Sequence, residues 1–185
     1  MVKLGFIVEG KTEKIILEKS GIFQFIKSIS IEIFEKVINA EGKDKLLPQR
    51  MPEYMDTLIS NGVNRFFILA DLDKDECITK TKGRISPEAN QIVVISVKEM
   101  ESWYLADTNA MRSFLKDDTY YCEAPENITD PFEEIKNVRL QKMNRGVDDK
   151  VILAKLMVKN NGFSILKAAE HPNCNSAKYF LKKIK

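Results

Sequence analysis

Residues 66–76 read Phe-Phe-Ile-Leu-Ala-Asp-Leu-Asp-Lys-Asp-Glu: five apolar residues, then the carboxylates Asp71, Asp73, Asp75 and Glu76. A short unbroken apolar run is the pattern of a strand buried on both faces, and such strands belong to parallel sheets. The acids then fall at the strand's carboxyl end, where open α/β sheets place their ligands. Alternate residues of an extended chain point the same way. Extended backbone past Ala70 would therefore turn Asp71 and Asp73 toward one site. Two carboxylates held together repel and call for a cation, and oxygen donors suit a hard divalent ion. The plainer reading is a solvated acidic turn after a core strand, which also fits Asp75 and Glu76.

Upstream, Val2–Val8 is apolar but for Lys3 and Gly5 and reads as a strand. Residues 9–13 turn into a helix, with Thr12 as its N-cap, Ile15, Ile16 and Leu17 along it, and Gly21 ending its first part. Period-two alternation through Ile29, Ile31 and Ile33 predicts a strand over Ile29–Ile38. A polar loop, 40–45, leads to an amphipathic helix over Pro52–Ser60, with Tyr54, Met55, Leu58 and Ile59 facing the core and Gly62 as terminator. Downstream, 78–90 is loop or short helix, and Ile92–Ser96 is a last core strand. Ser96 and Glu99 have capping-box spacing, which predicts a helix from there to about Asp107 with Trp103 and Tyr104 in the core. Further helices follow, capped by Asp130 ahead of Pro131 and by Asp148, with a last one over 176–185. Alternating strands and helices give an α/β fold: a Rossmann-like parallel sheet of about four strands with helices on both faces. Residues 1–107 form that core, and 108–185 form a helical layer packed on it within one domain.

The chain has 185 residues, enough for one domain with a real core. Its net charge of +2 names no partner by itself. No apolar run reaches the ~20 residues a membrane helix needs, and the start has no signal-peptide layout. Cys77, Cys122 and Cys174 are odd in number and far apart, as free thiols in a reducing cytoplasm are. His171 is the single histidine, which argues against zinc sites and triads built on histidine. It precedes Pro172 and reads as a loop residue. Catalysis, if present, rests on carboxylates, lysines and a metal.

Strand one ends in Val8-Glu9-Gly10-Lys11-Thr12-Glu13, and a later strand in Asp71-Leu72-Asp73. A lone glutamate after the first strand followed by Asp-x-Asp after a later one resembles the Toprim domain of topoisomerases, primases and OLD-family nucleases. The form Val-Glu-Gly-x-Thr-Glu is similar to the OLD and Toprim-nuclease branch. Residues 98–107, Lys-Glu-Met-Glu-Ser-Trp-Tyr-Leu-Ala-Asp, and 173–181, Asn-Cys-Asn-Ser-Ala-Lys-Tyr-Phe-Leu, resemble small stand-alone bacterial Toprim-like proteins. The resemblance covers the first 107 residues and, beyond them, only that ending.

It implies a Mg²⁺- or Mn²⁺-dependent nuclease cleaving the phosphodiesters of DNA or RNA. Glu9 is the expected acid/base or metal ligand, and Asp71 and Asp73 bind the ion. Glu13, and Glu101 from the helix after the last strand, are expected at a second one. Lys11, Lys43, Lys45, Lys74 and Lys98 lie where they could meet phosphate on the rim. The resemblance further implies a cytoplasmic protein working beside an ABC/OLD-type ATPase in phage defence. Two other readings stand beside it: a non-catalytic Toprim-fold interaction or regulatory subunit of such an ATPase complex, and a phosphotransfer enzyme of the receiver or phosphatase type. The third lacks the acid pair it needs on strand one.

Overall fold

In the computed structural model, which describes residues 2–185, the chain passes from β1 (Lys3–Val8) into α1 (Lys11–Lys19) and α2 (Ile22–Ser28). Two short strands follow, β2 (Glu32–Ile33) and β3 (Ile38–Asn39), then α3 (Met51–Ile59), β4 (Arg65–Asp71), α4 (Ile78–Ile85) and β5 (Gln91–Ser96). All later elements are helical: α5 (Glu101–Ala106), α6 (Thr108–Leu115), α7 (Pro131–Met143), α8 (Lys150–Asn160), α9 (Ile165–Glu170) and α10 (Asn175–Ile184). The sheet is parallel throughout, in the order β2-β1-β4-β5, with β3 also on the free edge of β1. This is a Rossmann-like α/β arrangement, a parallel sheet flanked by helices.

The expected central strand is β4. It lies between β1 and β5 and is buried from Phe66 to Asp71. Its side chains alternate between two cores. Phe67 and Leu69 join Leu4, Phe6, Val8 and Val94 under α1, α2 and α5–α10, while Phe66, Ile68 and Ala70 join Ile7, Val93 and Ile95 under α3 and α4. Helix α3 can lie this close because Gly5 has no side chain: a Cβ there would stand 2.8 Å from Val63 Cγ1 and 3.1 Å from Leu58 Cδ2. The helices after residue 107 share the first core with the sheet. Phe180 of α10 stacks edge-on against Phe67 at 5.9 Å and lies 6.2 Å from Phe6.

Several expectations need correction. The strand over Ile29–Ile38 is two pieces. Leu4 pairs with Ile33 and Ile7 with Ile38, so three steps on β1 match five on the edge, and the two surplus residues bulge out of the ladder. Helix α1 is capped at Gly10, and Thr12 is buried inside its first turn. Ile59 is 53% exposed instead of core, because α3 turns Met51, Met55 and Leu58 inward. Asp149, one residue after the expected Asp148, caps α8 by accepting from the Ile152 N–H at 2.7 Å. Helices α6 and α9 are elements the sequence pattern did not yield. The Asp130 cap of α7 is present, accepting from the Glu133 N–H at 3.0 Å. No helix among the described residues is long and apolar enough to cross a membrane.

Candidate active site at the strand carboxyl ends

Asp71 is the last residue of β4 and is buried. One carboxylate oxygen accepts from the Ser96 hydroxyl at the end of β5. The expected capping box is therefore not formed: Ser96 belongs to Asp71, and α5 begins only at Glu101. Glu9 follows β1 next door, and its Oε2 accepts from the Asp71 backbone N–H at 3.3 Å. Glu13 is buried in the first turn of α1, folded against the Gly10 turn so closely that a Cβ at Gly10 would lie 3.0 Å from Glu13 Oε2. Glu101, 1% exposed, opens α5. Three adjacent strand ends and two helix starts thus bring Glu9, Glu13, Asp71 and Glu101 together.

The electrostatics follow from that crowding. Burial, and then the charge of Asp73, push Glu9 up to about 7. Burial pushes Glu101 up to about 7 although the Lys150 ammonium pulls the other way. Asp71 is raised well above the ordinary range by burial, then by Glu13 and Glu101, against the Ser96 hydrogen bond. Glu13 is raised as well, by burial first. The same neighbours reach Tyr104: burial, then Glu101, Glu13 and Asp71, raise its phenol far above its usual value. Its hydroxyl is buried without a hydrogen-bond partner among the described residues, as is Glu101 Oε1.

Asp73 stands differently. Its φ of 51° ends the extended geometry after Asp71, a left-handed backbone that an aspartate tolerates. Its N–H donates to the Lys98 carbonyl at 2.6 Å, and Lys98 is left-handed too, with φ 63°. The two strand ends are thereby tied together by a pair of uncommon conformations of the kind found at functional sites. Asp73 therefore faces the rim, its side chain 37% exposed, while its charge still reaches Glu9 and Glu13. Lys43 Nζ bridges it to Asp75, 3.1 Å from each. Burial lowers the Lys43 pKa, but its hydrogen bonds to both aspartates outweigh that and raise it. Asp75 is not merely solvated, since it also accepts from Thr81 at 2.8 Å and pairs with Arg84 at 3.3 Å. Glu76 is solvated apart from its pair with Lys80.

Three of the expected phosphate-contacting lysines, Lys43, Lys74 and Lys98, line one cavity of about 400 Å³ with Asp73, Glu99 and Thr129. Lys11, exposed at the start of α1, is not among its lining residues, and Lys45 pairs with Glu41 on the surface. Glu99 is a salt-bridge partner instead of a helix cap: Lys150 of α8 reaches it at 2.8 Å and Glu101 at 3.7 Å. Lys150 and Tyr104 are the site residues that sequence reasoning missed. Trp103 is core, its indole N–H donating to Ser176 at 2.7 Å. His171 is a buried strut, accepting from the Asn173 N–H and donating from Nε2 to the Cys122 carbonyl at 2.9 Å. Cys77, Cys122 and Cys174 are free.

For a divalent ion the donor set fits in kind: hard oxygens, proton affinities raised by burial first and by mutual repulsion second, and a buried Glu101 oxygen with no partner among the described residues. It is not arranged as a ready-made cage. No three His, Cys, Asp or Glu side chains among the described residues stand at metal-binding spacing. The carboxylates are turned to protein donors instead: Asp71 to Ser96, Glu9 to a backbone amide, Asp73 to Lys43.

Neither the curated proteins nor the solved structures contain a match to this chain. A family match does exist, to DUF4276, described as a domain of unknown function, over residues 8–185. It runs from the end of β1 to the last residue and takes in every acid and lysine of the site, so the chain belongs to the DUF4276 family.

Proposed function

We propose that this protein hydrolyses phosphodiester bonds in nucleic acid with the help of Mg²⁺ or Mn²⁺, in the manner its Toprim resemblance implies. The observation that carries the reading is the mutually repelling set of half-buried Glu9 and buried Glu13, Asp71 and Glu101, gathered where β1, β4 and β5 end and α1 and α5 begin. Burying like charges together costs stability, and a ligand-binding site is where such a cost is met. Asp71 and Asp73 would hold a first ion, Glu9 would stand beside it as acid/base or as a further ligand, and Glu13 and Glu101 would serve a second. A bound divalent ion supplies the positive charge that a phosphodiester needs as negative charge builds on its oxygens.

The chain's own residues do the rest. Glu9, with a proton affinity near neutral, can take a proton from an attacking water or return one to the leaving oxygen. Ser96 pins Asp71, and the Asp73–Lys98 backbone contact fixes the rim. Lys43, Lys74 and Lys98 offer charge to the flanking phosphates. A cytoplasmic setting beside an ABC/OLD-type ATPase in phage defence is part of the same proposal and rests on the resemblance alone.

Supercoiled plasmid, single-stranded DNA and RNA, each incubated with Mg²⁺ or Mn²⁺, test the reading. Wild type should cut at least one substrate, Glu9→Gln should cut none, and chelation should stop the reaction. Equal cleavage by Glu9→Gln, or none by wild type with either ion, would overturn it. A non-catalytic interaction module is the second reading. It is favoured by Lys43, which already bridges Asp73 and Asp75 as an internal cation.

A further inference from the structure

Along β5, Ser96 holds Asp71, and its two neighbours Ile95 and Val97 line a separate cavity of about 290 Å³ between α4 and α10. Ile78, the first residue of α4 and 38% exposed, stands on one side, and Tyr179 of α10 on the other. The floor is therefore aliphatic and one wall aromatic. Two ammonium groups lie over that aromatic ring: Lys82 Nζ at 4.5 Å from its centroid and Lys183 Nζ at 5.5 Å. Lys82 also donates to the Tyr179 hydroxyl at 3.3 Å. The segments of α4 and α10, Ile-Thr-Lys-Thr-Lys-Gly-Arg-Ile and Asn-Ser-Ala-Lys-Tyr-Phe-Leu-Lys-Lys-Ile, contain six basic residues and no acidic one. Lys80 and Arg84 are answered by Glu76 and Asp75, whereas Lys82, Lys182 and Lys183 have no carboxylate partner among the described residues. In a chain of net charge +2, this gathers positive charge at the Tyr179 side of a largely apolar slot, whose lining also includes Asn175 and Ser176, the amides that hold the Glu126 carboxylate.

We infer that the α4–α10 cleft binds one unpaired base of a single-stranded nucleic acid, with the neighbouring phosphates held by Lys82 and Lys183. Flat apolar rings enter slots of this lining, and anions accompany them only where cations wait. Aromatic stacking beside a basic track is how single strands are held without sequence preference. A duplex keeps its bases stacked inside and cannot offer one to the slot without unpairing it. The inference rests on the phosphodiesterase reading for its choice of ligand and adds the substrate class: a strand that is single at this point, entering beside β5 within two residues of the Asp71 partner Ser96.

Fluorescence anisotropy with a labelled short oligothymidine in the presence of EDTA tests this apart from cleavage. Wild type should bind the strand about tenfold or more tighter than an abasic strand of equal length or a duplex. Tyr179→Ala should lose about tenfold and Tyr179→Phe little, since stacking needs the ring and not the hydroxyl. Ile78→Glu, at an exposed position that leaves the fold intact, should lose as much as Tyr179→Ala. Lys82→Ala should lower the salt slope by about 0.7. Unchanged affinity in both Tyr179→Ala and Ile78→Glu, or equal binding of the abasic strand, would overturn the inference and give the cleft to another occupant such as a protein segment. Base-dependent binding without cleavage by either ion would sink the phosphodiesterase reading alone. Cleavage with binding indifferent to Tyr179 and Ile78 would sink this one alone.

Discussion

Glu101 is an acid held in the interior with one oxygen unpartnered and three other carboxylates for neighbours. Its pKa rises from 4.5 to about 7, chiefly through burial. Between those values the folded chain keeps a proton that the unfolded chain has released. The stability it contributes is therefore fully present below about pH 4.5 and is lost as the pH rises to about 7. Glu9 moves the same way over the same window. Metal-free protein is expected to melt at a lower temperature near pH 8 than near pH 5.5, and Glu101→Gln is expected to reduce that difference. Near pH 8 the variant should melt higher than wild type, roughly 2–4 °C for each kcal/mol gained. Wild-type melting that is flat across the window would refute this. Lys150→Met should act oppositely and lower the pH 8 melting temperature, because it strips Glu99 and Glu101 of their cation. At this scale the places of Glu9 and Asp71 at strand ends were legible because each closes a strand pattern, whereas the turn of Asp73 to the rim was not, because a left-handed φ leaves no mark in the apolar pattern. Lys150 and Tyr104 were not, since nothing in the local sequence of a lysine capping-region or a helical tyrosine says which distant acids it will meet.

At the scale of elements, β4 shows why some of the fold could be read and some could not. Its apolar run is long enough, and central enough, for burial alone to fix it as an inner strand. The edge over 29–39 has the alternation of a strand but two residues too many for its partner, and a pairing register is invisible to periodicity. The start of α5 failed for a different reason. Ser96 and Glu99 have the spacing of a cap, but tertiary contacts claim both side chains first, Ser96 by Asp71 and Glu99 by Lys150. This yields a discriminating experiment. Ser96→Ala should cost about 1–3 kcal/mol by leaving Asp71 short of a donor in the interior, and, on the metal-dependent reading proposed above, should weaken Mn²⁺ binding in calorimetry by disordering Asp71. Amide exchange over 101–106 should stay as slow as in wild type. Fast exchange confined to 101–106 would mean that Ser96 serves the helix after all.

The whole molecule is organised so that its second half completes its first. One hydrophobic core holds Leu4, Phe6, Phe67, Leu69 and Val94 of the sheet together with Phe114, Leu153, Phe180 and Ile184 of the later helices and Phe163 from the turn between α8 and α9. A division at residue 107 follows the change in sequence pattern, from alternating strands to helices only, but cuts through this core. The same half supplies Lys150 to the acids, Thr129, from the loop before α7, to the lysine-lined cavity and Tyr179 to the cleft beside β5. A chain ending at Asp107 would keep α1, α2 and α5 on that face of the sheet but strip away Phe114, Leu153, Phe180 and Ile184, and the burial free energy lost with them would exceed the net stability of a typical domain. It is expected to give no cooperative thermal transition and no near-ultraviolet circular dichroism from the Trp103 environment. Phe180→Ala in the full chain provides the graded version. That side chain touches Phe6, Phe67 and Trp103, at ring distances of 6.2, 5.9 and 5.7 Å. Its loss is expected to cost about 3–5 kcal/mol, lowering the melting temperature by roughly 10 °C in a chain of this size. The variant should keep wild-type oligonucleotide affinity below its melting point, because Phe180 faces the core while Tyr179 faces the cleft. A truncated chain that melts cooperatively, or a Phe180→Ala variant as stable as wild type, would show that the sheet and its first helices fold alone and that the later helices are an appendage.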